Sequence, residues 1–165
     1  MDKEQQIVGL RVGRETFGLP ISIVREIVRV PEITSVPNAP DYIEGVINLR
    51  GRIIPVVDLR KRFGEKVPEP SKKNRIVVAE VEGRMVGLLV NSASEVLRIA
   101  PSQIEPPNNV FREGELDYIT GVGKLNGRLV ILLELSRILQ QGELGQLQEA
   151  AETAAVPAGI TAREY

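Results

Sequence analysis

The sequence predicts a mainly β protein assembled from two copies of one unit, with helix confined to short turns. Two observations carry that prediction. The stretch Asp41 to Phe63, DYIEGVINLRGRIIPVVDLRKRF, returns 76 residues later as Asp117 to Leu139, DYITGVGKLNGRLVILLELSRIL, with nine identities in 23 positions. Most of the remaining differences exchange like for like, as in Ile54 for Val130 and Asp58 for Glu134. Self-similarity at a fixed spacing marks a repeated structural unit. The second observation is the punctuation: in both copies, apolar runs of β-branched and aliphatic residues flank a turn dipeptide, Arg50-Gly51 or Asn126-Gly127. Asn-Gly is the strongest short hairpin signal, because both residues tolerate positive φ, and Arg-Gly is a weaker form of it.

Taken in order, Gln6 to Gly13 alternates Val8, Leu10 and Val12 against Gly9 and Arg11, the period of a half-buried strand. Gly13 to Glu15 turns the chain, and Thr16 to Leu19 returns as its partner. Pro20 suits the start of a short helix, and Val24 to Val30 resumes extended structure. A second echo lies here. Phe17-Gly18-Leu19 through Glu26 and Arg29 aligns, 69 residues on, with Val86-Gly87-Leu88 through Glu95 and Arg98. Pro31, Pro37 and Pro40 break the following connection. Pro55, which has no N–H to give to a ladder, is expected at an edge or a bulge. Asp58 and Glu134 sit where a helix start favours an acid, giving short helices over Asp58 to Phe63 and from Glu134 to about Gln141.

GEKVPEPSKKN, Gly64 to Asn74, is polar and proline-containing, as a linker is. The division expected is a first subdomain over 1–66, a linker over 67–74, a second subdomain over 75–141 and a flexible tail over 142–165. Within the second, Arg75 to Val81, Met85 to Val90 and Glu95 to Ile99 read as strands. Pro101 to Leu116 reads as a long loop, a length that suggests a contact.

A chain of 165 residues can bury about 70% of its unfolded surface, enough for a core without staples. It contains no cysteine and no histidine, so thiol and imidazole chemistry and the usual zinc ligands are excluded, and no cofactor is expected. There is no phosphate loop of the Gly-Lys form, and the serines have no histidine partner, which argues against an enzyme. The start MDKEQQ has no apolar run, and no stretch approaches a membrane span, so the expectation is a cytoplasmic protein without membrane insertion. With 21 basic against 22 acidic residues and six aromatics, nucleic acid is not an expected partner.

Arg50 stands out, because the other copy has Asn126, an ordinary turn residue, at that position. It reads either as a solvated turn arginine or as one held by an acid, with Glu26 the candidate neighbour, and presented to a partner. GVINLRGRIIPVVDLRKRF, with the preceding VPNAPDYIE and the later ITGVGKLNGRLVILLEL, resembles the CheW family of bacterial chemotaxis coupling proteins over residues 5 to 140. The resemblance implies two SH3-like five-stranded β-barrel subdomains, and a scaffold linking methyl-accepting chemoreceptors to the histidine kinase CheA at membrane-associated receptor arrays. It further implies a receptor-binding groove formed by Val24, Glu26, Ile47, Arg50 and Ile53. The CheW-like regulatory domain of the kinase would meet Arg75, Val86, Leu88, Val110 and Phe111. For Val86 and Leu88 the plain alternative is that they fill the barrel. Two other functions fit the same pattern: an adaptor for a kinase of twitching motility or development, and an SH3-like barrel that binds RNA, which the charge balance disfavours.

Overall fold

The computed structural model describes residues 4–106 and 118–138. Eleven strands occur among them: β1 (Gln5–Val12), β2 (Glu15–Pro20), β3 (Val24–Arg29), β4 (Ile43–Leu49), β5 (Arg52–Asp58), β6 (Arg75–Val81), β7 (Arg84–Val90), β8 (Ser92–Ile99), β9 (Ile104–Glu105), β10 (Ile119–Leu125) and β11 (Arg128–Leu133). Among the described residues, helix is limited to α1 (Leu59–Arg62), α2 (Leu135–Ile138) and single 3-10 turns at Ile21–Ile23 and Pro101–Gln103. The hairpins β4–β5, β6–β7 and β10–β11 each turn through two residues of positive φ: Arg50 and Gly51 at 53° and 86°, Glu82 and Gly83 at 53° and 79°, Asn126 and Gly127 at 47° and 80°. Paired left-handed residues match the twist of the flanking strands, so all three turns close without splaying them.

The strands form two sheets, ordered β8-β1-β2-β11-β10-β9 and β3-β6-β7-β5-β4. By the sequence spacing, β1 to β5 of the first repeat correspond to β6, β7, β8, β10 and β11 of the second. Each sheet therefore takes its first hairpin from the opposite repeat. Hairpin β1–β2 lies between β8 and β11, and hairpin β6–β7 lies between β3 and β5. Both join their host through the same kind of contact, a short parallel pairing: Thr16 to Gly18 beside Val130 to Leu132, and Gly87 to Leu89 beside Val56 to Asp58. The division at 67–74 thus separates the repeats along the chain but not the sheets, because strands from both halves build both. Only Asn91 separates β7 from β8, and only Ile21–Ile23 separates β2 from β3. Neither crossing carries the paired positive-φ residues that turn the hairpins back, so the chain runs on into the other sheet.

Each sheet curls around a small apolar interior, as an SH3-like barrel does. The first holds Ile47, Ile54, Val56, Ile76, Val78 and Leu89, and the second holds Ile7, Ile99, Leu125, Val130 and Leu132. A third and larger cluster lies between the sheets and draws Val8, Leu10 and Val12 from β1, Val77, Ala79 and Val81 from β6, Val86, Leu88 and Val90 from β7, and Ile131 and Leu133 from β11. Strands β1, β5, β6, β7 and β11 are consequently buried on both faces. That is why RIVVAEV and RLVILL read as near-continuous apolar runs.

Three expectations need correction. Pro55 is on an interior strand, between β7 and β4. The parallel ladder to β7 begins one residue later, at Val56, so the missing N–H falls just outside it. The segment after Pro101 is not a plain loop, since it includes a 3-10 turn and β9, which makes the second sheet six-stranded. In the first sheet the equivalent contact is an isolated bridge, Thr34 to Val46. This bridge fixes a glycine: at Gly45, with φ of 147°, an added Cβ would lie 2.1 Å from the Thr34 carbonyl oxygen. The third correction is small. β8 starts at Ser92, three residues before its expected beginning. The described part of the last helix ends at Ile138, and the expected tail lies outside the described residues.

Candidate functional site

β3 and β4 are the outermost strands of the five-stranded sheet, and one ion pair spans them: Nη2 of Arg50, in the β4–β5 turn, donates to Oε2 of Glu26 on β3. The turn geometry explains the placement. Asn48 Oδ1 accepts from Gly51 N at 2.9 Å and braces the loop, while positive φ at Arg50 throws its side chain toward β3. The Arg50 side chain remains 69% exposed and that of Glu26 30% exposed, so the guanidinium is oriented by the carboxylate yet open to a partner. The hydrogen bond to Glu26, then its charge, raises the pKa of Arg50 against a small opposing desolvation. Of the two readings of Arg50, the held arginine is the observed one.

The second sheet carries a related pair. Nη2 of Arg128 donates to both carboxylate oxygens of Glu95, at 3.0 and 3.1 Å. Glu95 matches Glu26 in the repeat, whereas Arg128 matches Arg52. The latch is kept, but its arginine has moved from the turn into the strand, and of the two corresponding turns, β4–β5 and β10–β11, the first alone carries a cation.

The remaining expected receptor residues divide by burial. Ile53 is half-buried beside the turn, and Val24 is half-buried and packs against the central core. Ile47 is only 1% exposed, inside the first barrel, so it lies beneath the surface that Val24 and Ile53 help to form. Among the expected kinase residues, Val86 and Leu88 are 1% and 0% exposed in the cluster between the sheets. They are core residues, which corrects their assignment to a surface. Replacing Val86 by Ala should cost about 2 kcal/mol of stability in chemical denaturation. The folded variant should bind partners normally, and a binding defect at full stability would restore Val86 to the surface. Arg75 is half-buried and donates through Nη1 to the carbonyls of Lys72 and Asn74, both at 2.8 Å. Val110 and Phe111 lie outside the described residues.

Sequence reading missed the buried pair at the start of α1. Asp58 Oδ1 accepts from the Arg60 backbone N at 2.9 Å, capping the helix, and also from Arg60 Nε at 3.0 Å, while Oδ2 accepts from Nη2 at 3.1 Å. The two side chains are 1% and 4% exposed. Their spacing, acid to arginine across a helix entry, was a visible signal. Around the pair, Lys61 bonds Glu44 at 2.7 Å, and this contact raises the lysine pKa above its ordinary value, against burial. Arg62 donates through Nε and Nη2 to the Ile138 carbonyl, at 3.1 and 2.9 Å, tying α1 to α2, and lies over the Tyr42 ring. Phe17, Phe63 and Tyr118 stack beside this junction, with centroids 5.0 and 5.2 Å apart.

Among the described residues no cluster of acids could hold a metal ion, and no helix is long and apolar enough to cross a membrane. Two interlocked barrels with charged latches at their hairpins define an interaction module. The CheW-like domain model matches residues 6–143. The Rhizobium meliloti (strain 1021) chemotaxis protein CheW is 37% identical over 139 residues, covering 84% of this chain and 90% of its own. The Thermotoga maritima chemotaxis protein CheW is 34% identical over 139 residues, with the same coverage. The crystal structure of the scaffolding protein TtCheW from Thermoanaerobacter tengcongensis superposes with a TM-score of 0.78 at 37% identity, over 86% of this chain and 96% of that one. The chain belongs to the CheW-like family of chemotaxis scaffold proteins.

Proposed function

We propose that this chain is a non-catalytic coupling protein that joins the cytoplasmic tips of methyl-accepting chemoreceptors to the histidine kinase CheA, and that it works in the cytoplasm at membrane-associated receptor arrays. The carrying observation is the Glu26–Arg50 latch, an oriented and exposed guanidinium at one hairpin tip that the other repeat does not reproduce. A receptor tip is a helical hairpin, and such an element needs an apolar strip with polar anchors beside it. Val24 and Ile53 supply half-buried apolar surface, and Glu26 and Arg50 supply the anchors. Arg75, on β6, is assigned to the kinase contact, with Val110 and Phe111 as a separate contact of the same partner.

Reversing the exposed charge, Arg50→Glu, should leave the unfolding midpoint nearly unchanged and weaken receptor binding tenfold or more, to the extent of about 1.4 kcal/mol per factor of ten. Kinase binding should be spared. Pull-downs of this one variant against receptor fragment and kinase, done separately, decide the matter: equal loss of both would make the arginine structural, and loss of neither would make it an ordinary turn residue.

A further inference from the structure

A cleft of about 440 Å³ opens where β3 ends and the chain enters β6, lined by Arg29, Val30, Ser71, Lys72 and Asn74. Arg29 stands directly across the ladder from Arg75, and like charges in that position repel. Arg75 is held toward the same end by its bonds to the Lys72 and Asn74 carbonyls. Lys73 adds a further exposed cation. Among the described residues no ion pair reaches Arg29, Lys72, Lys73 or Arg75, although Arg25, Arg50, Arg60, Lys61, Lys124 and Arg128 all have acidic partners. The acids nearest in sequence, Glu32 and Glu69, do not line the cleft. In a chain of net charge −1, a gathering of four cations with no counter-charge is a local departure from balance.

The wall that carries these cations is built. Ser71 N donates to Asn74 Oδ1 at 3.0 Å, Asn74 N to the Ser71 carbonyl at 3.1 Å, and Lys73 N to Ser71 Oγ at 3.1 Å, which closes a turn on itself. Asn74 Nδ2 then donates to the Asn91 carbonyl at 3.1 Å and pins that turn to the end of β7. The backbone that carries Lys72 and Lys73 is thus ordered before an anion arrives, and only side-chain freedom remains to be lost. Beside them Val30 is 37% exposed, an apolar contact at the rim of a charged cleft.

We propose that this cleft docks an acidic segment of a partner protein, with carboxylates facing Arg29 and Lys72 in the cleft and Lys73 on the turn beside it, and an aliphatic side chain against Val30. Nucleic acid would call for stacking rings, and no aromatic residue lines the cleft. The site lies away from the Arg50 turn and does not depend on the coupling function. Arg75 also belongs to the proposed kinase contact, so it is left unchanged in the test.

The probe is a fluorescein-labelled peptide of alternating glutamate and leucine, titrated by anisotropy at low and at moderate salt. The expected result is saturable binding that weakens with salt, falls about tenfold or more in Lys72→Glu/Lys73→Glu, and falls severalfold in Val30→Ser. Arg11→Glu/Arg98→Glu makes the same change of net charge at exposed positions on the other sheet, and it should bind within about twofold of the unaltered protein. Equal weakening by both double variants would reduce the effect to bulk electrostatics and overturn the proposal. So would absence of saturable binding, or an oligonucleotide of matched charge competing as well as the peptide does.

Discussion

Asp58→Ala should lower the unfolding free energy by about 3–5 kcal/mol, among the largest effects of any single substitution outside the apolar core. The Arg60 side chain is 4% exposed, its Nη1 has no hydrogen-bond partner, and Asp58 is the anion that balances it. Removing the acid leaves a buried charge uncompensated and also takes away the cap on the Arg60 backbone N–H. Replacing both members, Asp58→Ala with Arg60→Met, should restore most of the loss, because a buried pair is costly to break yet often neutral to replace by apolar groups. The second repeat provides the control. Glu134 occupies the matching position but is exposed and accepts from Ser136, which stands where Arg60 would be, so Glu134→Ala should change stability by less than about 0.5 kcal/mol. Urea midpoints at constant m measure all three. A loss below about 1 kcal/mol for Asp58→Ala would show the pair to be incidental.

Cutting the chain between Pro68 and Glu69 should abolish cooperative folding of each piece alone and restore it when the two are mixed. The first piece retains β1 to β5 but lacks the hairpin β6–β7 that fills its sheet, and the second lacks β1–β2. Neither can bury the core between the sheets, to which both contribute. Equimolar mixing should return the native circular dichroism and a cooperative melt whose midpoint rises with concentration, since the tether's effective concentration has been exchanged for bimolecular association. A piece that unfolds cooperatively as a monomer would refute the exchanged topology as the basis of stability.

The repeat, the hairpins and the mainly β class were legible because each is a local pattern. Asn126-Gly127 declares its turn, and Asp41 to Phe63 declares its copy. The Glu26–Arg50 pair was legible from one asymmetry between copies, an arginine where the other has asparagine. Hairpin exchange was not legible in any local pattern, although the family resemblance allows terminal segments to cross between subdomains. In a duplicated chain β1–β2 and β6–β7 offer nearly the same pattern to either host, and the choice is made by the single residue Asn91 and the short turn Ile21–Ile23. Assigning faces failed for the same structural reason. Alternation marks an outward side only when one face is wet, and β7 is buried on both, so Val86 and Leu88 carry no sign of which way they point. The Asp58–Arg60 pair escaped because burial of a helix entry is a tertiary fact.

The exchange of hairpins also sets what kind of motion this adaptor can transmit. A hinge between two beads on a string bends at its linker, but here the linker at 67–74 is not the mechanical joint, because the strands themselves pass from one barrel to the other at Asn91 and at Ile21–Ile23. Opening an angle between the barrels would strain these short crossings, from β7 to β8 and from β2 to β3, and expose the apolar layer between the sheets. The module is therefore a stiff plank. A displacement applied at the Arg50 tip reaches the far barrel as rotation of the whole body, and whatever is bound at that end is turned by the same angle.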